Sequence, residues 1–139
     1  MITAILRAST LVLGAVLALG GCQPPQPTPS VGKLLPGVWR LAGKPGTTMT
    51  LTGTTETSGP FVMTHDGLIP ATFRGRWMLR GRILTVQIDE FPPAATWVVP
   101  LTGQTPTSKF VQDIVRIDRT VLILRGQGQP VEERYERVR

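Results

Sequence analysis

One cysteine and one histidine in 139 residues leave little material for sulfur or metal chemistry. An intramolecular disulfide needs a second sulfur, a cysteine zinc cage needs several, and a multi-histidine site needs more imidazoles than this chain owns. No metal and no cofactor is therefore expected. Charged residues are also sparse, at 17% of the chain. The length holds one domain at most, which excludes two-domain enzyme architectures. Fifteen Lys and Arg against nine Asp and Glu leave a formal charge of +6, an excess that bears on surface partners and not on fold.

What the chain does have begins with an unusual first segment. A single Arg7 precedes an apolar stretch over 8–19, broken only by Ser9, Thr10 and Gly14, and then come Gly20, Gly21 and Cys22. An apolar core of about a dozen residues is short of the roughly 20 that cross a bilayer, so the segment reads as a cleaved signal peptide. Leu19-Gly20-Gly21-Cys22 resembles the lipobox of bacterial lipoproteins. That resemblance implies a diacylglycerol on the Cys22 sulfur, a palmitate-type acyl chain on its amine, and Cys22 as the mature N-terminus. The alternative is an ordinary secretory signal with an incidental cysteine. Together the acyl chains exceed the two-signal threshold for stable anchoring. Gln23, where retained lipoproteins carry Asp, implies by the same resemblance release to the outer membrane, facing the periplasm. Four prolines in the eight residues 23–30 then make an extended spacer. The expected division is 1–21 signal peptide, 22–31 lipidated cysteine and Pro-rich tether, and 32–139 globular domain.

Past the spacer, Pro, Gly, Thr and β-branched residues recur every few positions, and no window keeps an apolar face at helical spacing over three turns. The domain is expected to be all-β, with strands over 38–42, 48–55, 60–64, 69–79, 83–91, 96–101, 121–125 and 131–138. The segment 110–117 is ambiguous between a strand and a helical turn. Hairpin parity tests the register, because a loop of wrong parity sends facing apolar residues to opposite sides of the sheet. A two-residue loop at Arg80-Gly81 sets Trp77 opposite Leu84, Gly75 opposite Val86 and Phe73 opposite Ile88, leaving Arg74 and Arg76 on the other face. A three-residue loop, His65-Asp66-Gly67 with Gly67 left-handed, sets Met63 against Ile69 and Phe61 against Ala71, in line with Phe73 and Trp77. The expected interior is Trp39, Phe73, Trp77, Leu84, Val86 and Ile88.

Leu35-Pro36-Gly37-Val38-Trp39, then Gly75-Arg76-Trp77 with Gly81 and Leu84, then Ile114, Ile117, Leu122, Leu124 and Tyr135-Glu136-Arg137 span about 100 residues. In this pattern the domain resembles the bacterial lipocalin-like domains, small antiparallel up-and-down barrels with a tryptophan near the start and a Gly-x-Trp before a mid-chain hairpin. The resemblance implies a shortened barrel of that kind.

Trp39, Phe61, Met63, Phe73 and Trp77 are the candidate ligand-binding residues, the two tryptophans being alternatively a plug that closes one barrel end. Arg74, Arg76 and Arg80 recur at strand spacing on the opposite face and form a candidate anionic surface, suited to anionic lipid, lipopolysaccharide or an acidic envelope protein. The alternative is a solvated strand face, with Asp89 and Gln87 able to neutralise part of it. Nucleic acid is not an expected partner. His65 and Asp66 are adjacent in a turn and cannot form an oriented catalytic pair. Glu132, Glu133 and Glu136 read as alternating surface charge on the last strand. The expected protein is an outer-membrane lipoprotein that meets the membrane through Cys22 and acts as a non-catalytic binding or assembly module. A carrier of a small apolar ligand in the barrel mouth is the alternative, and an enzyme the remote third.

Overall fold

A computed structural model describes residues 27–93 and 108–138. A four-residue helix α1 (Val31–Leu34) leads into eight strands: β1 (Gly37–Leu41), β2 (Thr47–Leu51), β3 (Ser58–His65), β4 (Ala71–Arg80), β5 (Ile83–Glu90), β6 (Lys109–Ile117), β7 (Val121–Gly126) and β8 (Glu132–Arg137). Each strand pairs antiparallel with the next, and β8 returns to β1 through Trp39↔Arg137, Arg40↔Glu136 and Leu41↔Tyr135, so the sheet closes into a barrel. Closure removes every free edge, and every strand of the fold lies between Gly37 and Arg137. The ambiguous segment 110–117 is strand, within β6. The strand expected over 96–101, the signal peptide and Cys22 lie outside the described residues.

Both hairpins tested by parity keep the expected faces and change the expected partners. In the β4–β5 hairpin Arg80 pairs with Ile83, Leu79 with Leu84, Trp77 with Val86 and Gly75 with Ile88. The loop is thus Gly81-Arg82, one residue later than expected. Gly81 has φ 62°, while no described non-glycine residue has a positive φ, the sign pattern of a type II′ turn with glycine first. Arg82 is held there because its guanidinium donates to the carbonyls of Ile114 (2.9 Å) and Val115 (3.1 Å) at the far end of β6. Each partner therefore moves by two positions, which leaves inward residues inward. A bulge between Arg74 and Gly75 then sets Arg74 opposite Glu90.

In the β3–β4 hairpin the strands meet at His65↔Ala71, so the loop has five residues, 66–70, and Met63 faces Phe73. The expected three-residue turn fails for two reasons. The Asp66 N–H donates to Gly46 O at 2.8 Å, carrying the chain onward beside β2. Pro70 has no N–H to contribute to a ladder, so pairing resumes only at Ala71. Gly67 is not left-handed, and Leu68 and Ile69 face solvent. The slip is again an even number of positions, so Phe61, Met63, Phe73 and Trp77 share the inner face.

The interior has two unlike ends. At the end where α1 meets the β2–β3 turn, Leu35, Trp39, Trp77, Leu84, Leu122 and Leu124 have no exposed surface at all. Both indoles find acceptors as they bury, Trp39 Nε1 on Leu35 O and Trp77 Nε1 on Thr52 O, each at 2.9 Å; a buried indole N–H without one would be costly. Arg137 closes this plug. Its guanidinium carbon lies 4.1 Å from the centre of a Trp39 ring, and it donates to the carbonyls of Pro36 (2.9 Å), Arg119 (2.8 Å) and Leu34. Val31, expected in the tether, opens α1 and packs against this core.

Candidate functional site

Among the described residues, the other end of the barrel is open. There β1, β3, β5 and β7 finish and β2, β4, β6 and β8 begin, around a cavity of about 470 Å³. Alternation along each strand decides its walls. Of the cavity-lining residues from β2 to β5, Met49, Phe61, Met63, Phe73, Val86 and Ile88 are apolar, and Thr47, at the rim, is polar. Phe91, just past β5, meets Phe73 edge to face with ring centres 6.2 Å apart, and Phe110 opens β6. Below Thr47 this wall offers dispersion and methionine adaptability.

The opposite wall is polar. Gln112 projects inward from β6, and Glu133 and Tyr135 project inward from β8. The Tyr135 hydroxyl donates to Glu133 Oε2 at 2.9 Å. Tyr135 itself is buried, and that burial, followed by the adjacent Glu133 charge, pushes its phenol well above the ordinary tyrosine range. At the rim, Thr47 Oγ1 and His65 Nδ1 share a 2.8 Å hydrogen bond, which satisfies the buried threonine.

Of the five candidate ligand residues, Phe61, Met63 and Phe73 line this cavity, and Trp39 and Trp77 do not. The tryptophans point inward as parity requires, but at the plugged end. Parity fixes the side of the sheet a residue faces and is silent on its depth along the barrel. Sequence reasoning missed Phe110, Gln112, Glu133 and Tyr135 as cavity residues. Their signal is period-two spacing, 110/112/114 and 133/135, in strands whose inward face had not been assigned. Glu133 is exposed, as a surface charge on the last strand should be, but it stands at the mouth on the inner face with Tyr135, while Glu132 and Glu136 face outward.

The arginine stripe lies on the outside of β4, with Arg74, Arg76 and Arg80 all exposed. Glu90 faces Arg74 at 3.9 Å and Asp89 faces Arg76 at 3.2 Å. Arg80 has no ion pair among the described residues. Asp66 stands in a loop and His65 at the end of β3, turned to Thr47.

No protein-family model matches the chain, and no curated protein matches it. Among solved structures, that of a lipocalin-like protein from Bacteroides uniformis superposes with a TM-score of 0.55 at 14% identity, covering 75% of this chain and 98% of that one. The likeness is one of fold: a lipocalin-like barrel of eight antiparallel strands.

Proposed function

We propose that this protein is a non-catalytic binding module that takes a small apolar ligand into the open end of its barrel and is held at the periplasmic face of the outer membrane by lipid on Cys22. The observation that carries the binding half is the cavity. About 470 Å³ falls within the range of small-molecule sites, and an apolar lining with a few placed polar groups is their usual chemistry. Among the described residues, the plug leaves one way in and out. These features favour the ligand carrier over a module that acts only through its outer surface. The anchoring half rests on the lipobox resemblance of Leu19-Gly20-Gly21-Cys22. Within the same reading, Arg74, Arg76 and Arg80 are the face that anionic lipid, lipopolysaccharide or an envelope protein would meet. Asp89 and Glu90 compete for two of the three, which leaves Arg80 as its strongest point.

A neutral apolar fluorophore, N-phenylnaphthylamine, tests the cavity on the chain from Gln23 onward, which carries the whole barrel. Saturable fluorescence enhancement is expected, and Met63→Trp, which fills the apolar wall, should weaken it about tenfold or more. Absence of saturable binding, or equal affinity in the Met63→Trp protein, would overturn the reading.

A further inference from the structure

The cavity has a chemical direction. Its β2–β5 wall is apolar apart from Thr47 at the rim, whose hydroxyl is engaged by His65, while Gln112, Glu133 and Tyr135 gather on β6 and β8, so a ligand that satisfies both walls is an amphiphile and not a plain hydrocarbon. Glu133 is the sole charged residue among those lining the cavity, and none of them is Lys, Arg or His. Its carboxylate accepts one hydrogen bond from the Tyr135 hydroxyl through Oε2, and Oε1 has no donor among the described residues. Gln112 stands on the same side, its side-chain amide without a partner among the described residues. Gly126, which pairs with Gln112, lies two residues from Leu124, the partner of Glu133. The Gln129 side chain packs over that glycine. The nearby basic groups are turned elsewhere. Lys109 alternates to the outer face opposite Gln87, and the His65 ring is engaged by Thr47 at the rim.

Resting on the ligand-binding reading, we infer that the Glu133–Gln112 wall selects amphiphiles with an ammonium head over those with a neutral head and rejects those with a carboxylate. A head of that kind meets a carboxylate oxygen and an amide oxygen at the mouth while its chain runs along Met63, Phe73 and Val86. A carboxylate head would meet Glu133 with like charge and find no cation to offset it. Because Glu133 also reaches water, its discrimination is screened and modest.

Three probes of one chain length separate the contributions: decylamine, decanol and decanoate, each displacing N-phenylnaphthylamine at neutral pH from the chain starting at Gln23. Decylammonium is expected to bind about tenfold tighter than decanol, the low end for a charge-assisted hydrogen bond, and decanoate more weakly than decanol. In Glu133→Gln the amine should fall to the level of the alcohol, while the alcohol stays within about twofold of its original affinity. Raised salt should shrink the amine preference in the unaltered protein only. If decanol fails to displace the fluorophore, the ligand-binding reading itself falls. If decanol binds but decylamine does no better, or its advantage survives Glu133→Gln, the cavity stands and head-group selection by Glu133 is wrong.

Discussion

Tyr135 joins the core to the cavity, with its ring buried and its hydroxyl spent on Glu133. It is the chain's single tyrosine, so tyrosinate absorbance reports this phenol alone. Its folded pKa is raised, first by burial and then by Glu133. A group of that sign contributes stability that is complete below the unfolded phenol's pKa of about 10 and is lost as pH rises above it. The expected outcome is that no tyrosinate develops as pH passes the ordinary phenol range, and that it appears together with loss of β circular dichroism. A titration near that ordinary range with the barrel intact would show the hydroxyl to be free. Glu133 illustrates why such a residue is hard to read in sequence. In Glu132-Glu133-Arg134-Tyr135-Glu136, alternating charge describes a solvated strand equally well. Its strand partners assign its inner face: the buried Leu124 stands opposite Glu133, and Leu122 and Leu41 stand opposite Tyr135 on either side.

Strands and hairpins were legible to different depths. Period-two alternation placed Phe61, Met63, Phe73 and Trp77 on one face, and that survived because both hairpins slipped by even numbers of positions. Loop length was not legible, since it was decided by contacts from elsewhere: Asp66 by Gly46, Arg82 by Ile114 and Val115. Depth along the barrel was not legible either, and it is depth that divides plug from mouth. The two ends should therefore differ in energetic weight. Trp77→Ala empties a fully buried site and strands the Thr52 carbonyl, for an expected cost of about 3–5 kcal/mol. Phe73→Ala removes a half-buried ring that already borders open space, for about 1–2 kcal/mol. Urea denaturation of both variants checks the order. Equal losses, or a Trp77 variant as stable as the parent protein, would contradict the division of the interior into a packed end and a hollow one.

The proposed attachment to the envelope rests on the chain ahead of the barrel, and its test is correspondingly simple. Replacing Cys22 with Ser should move the protein out of the membrane fraction or leave its signal uncleaved; a Ser variant that is still acylated and processed would overturn the lipobox reading. The position of the plug bears on how such an attachment carries the barrel. Ser30 rests beside Glu56 at the closed pole, and the Val138 N–H bonds to Val38 O in β1 at that same pole. The segment 23–30, if extended, spans about 25 Å. The barrel is thus a cup gripped by its foot. A load attached through Ser30 or Val138, be it an acyl chain, a sensor surface or a fluorescent domain, is therefore joined to the foot, at the pole opposite the described rim. Affinity for N-phenylnaphthylamine should be the same whether the protein is free in solution or immobilised by either of those points.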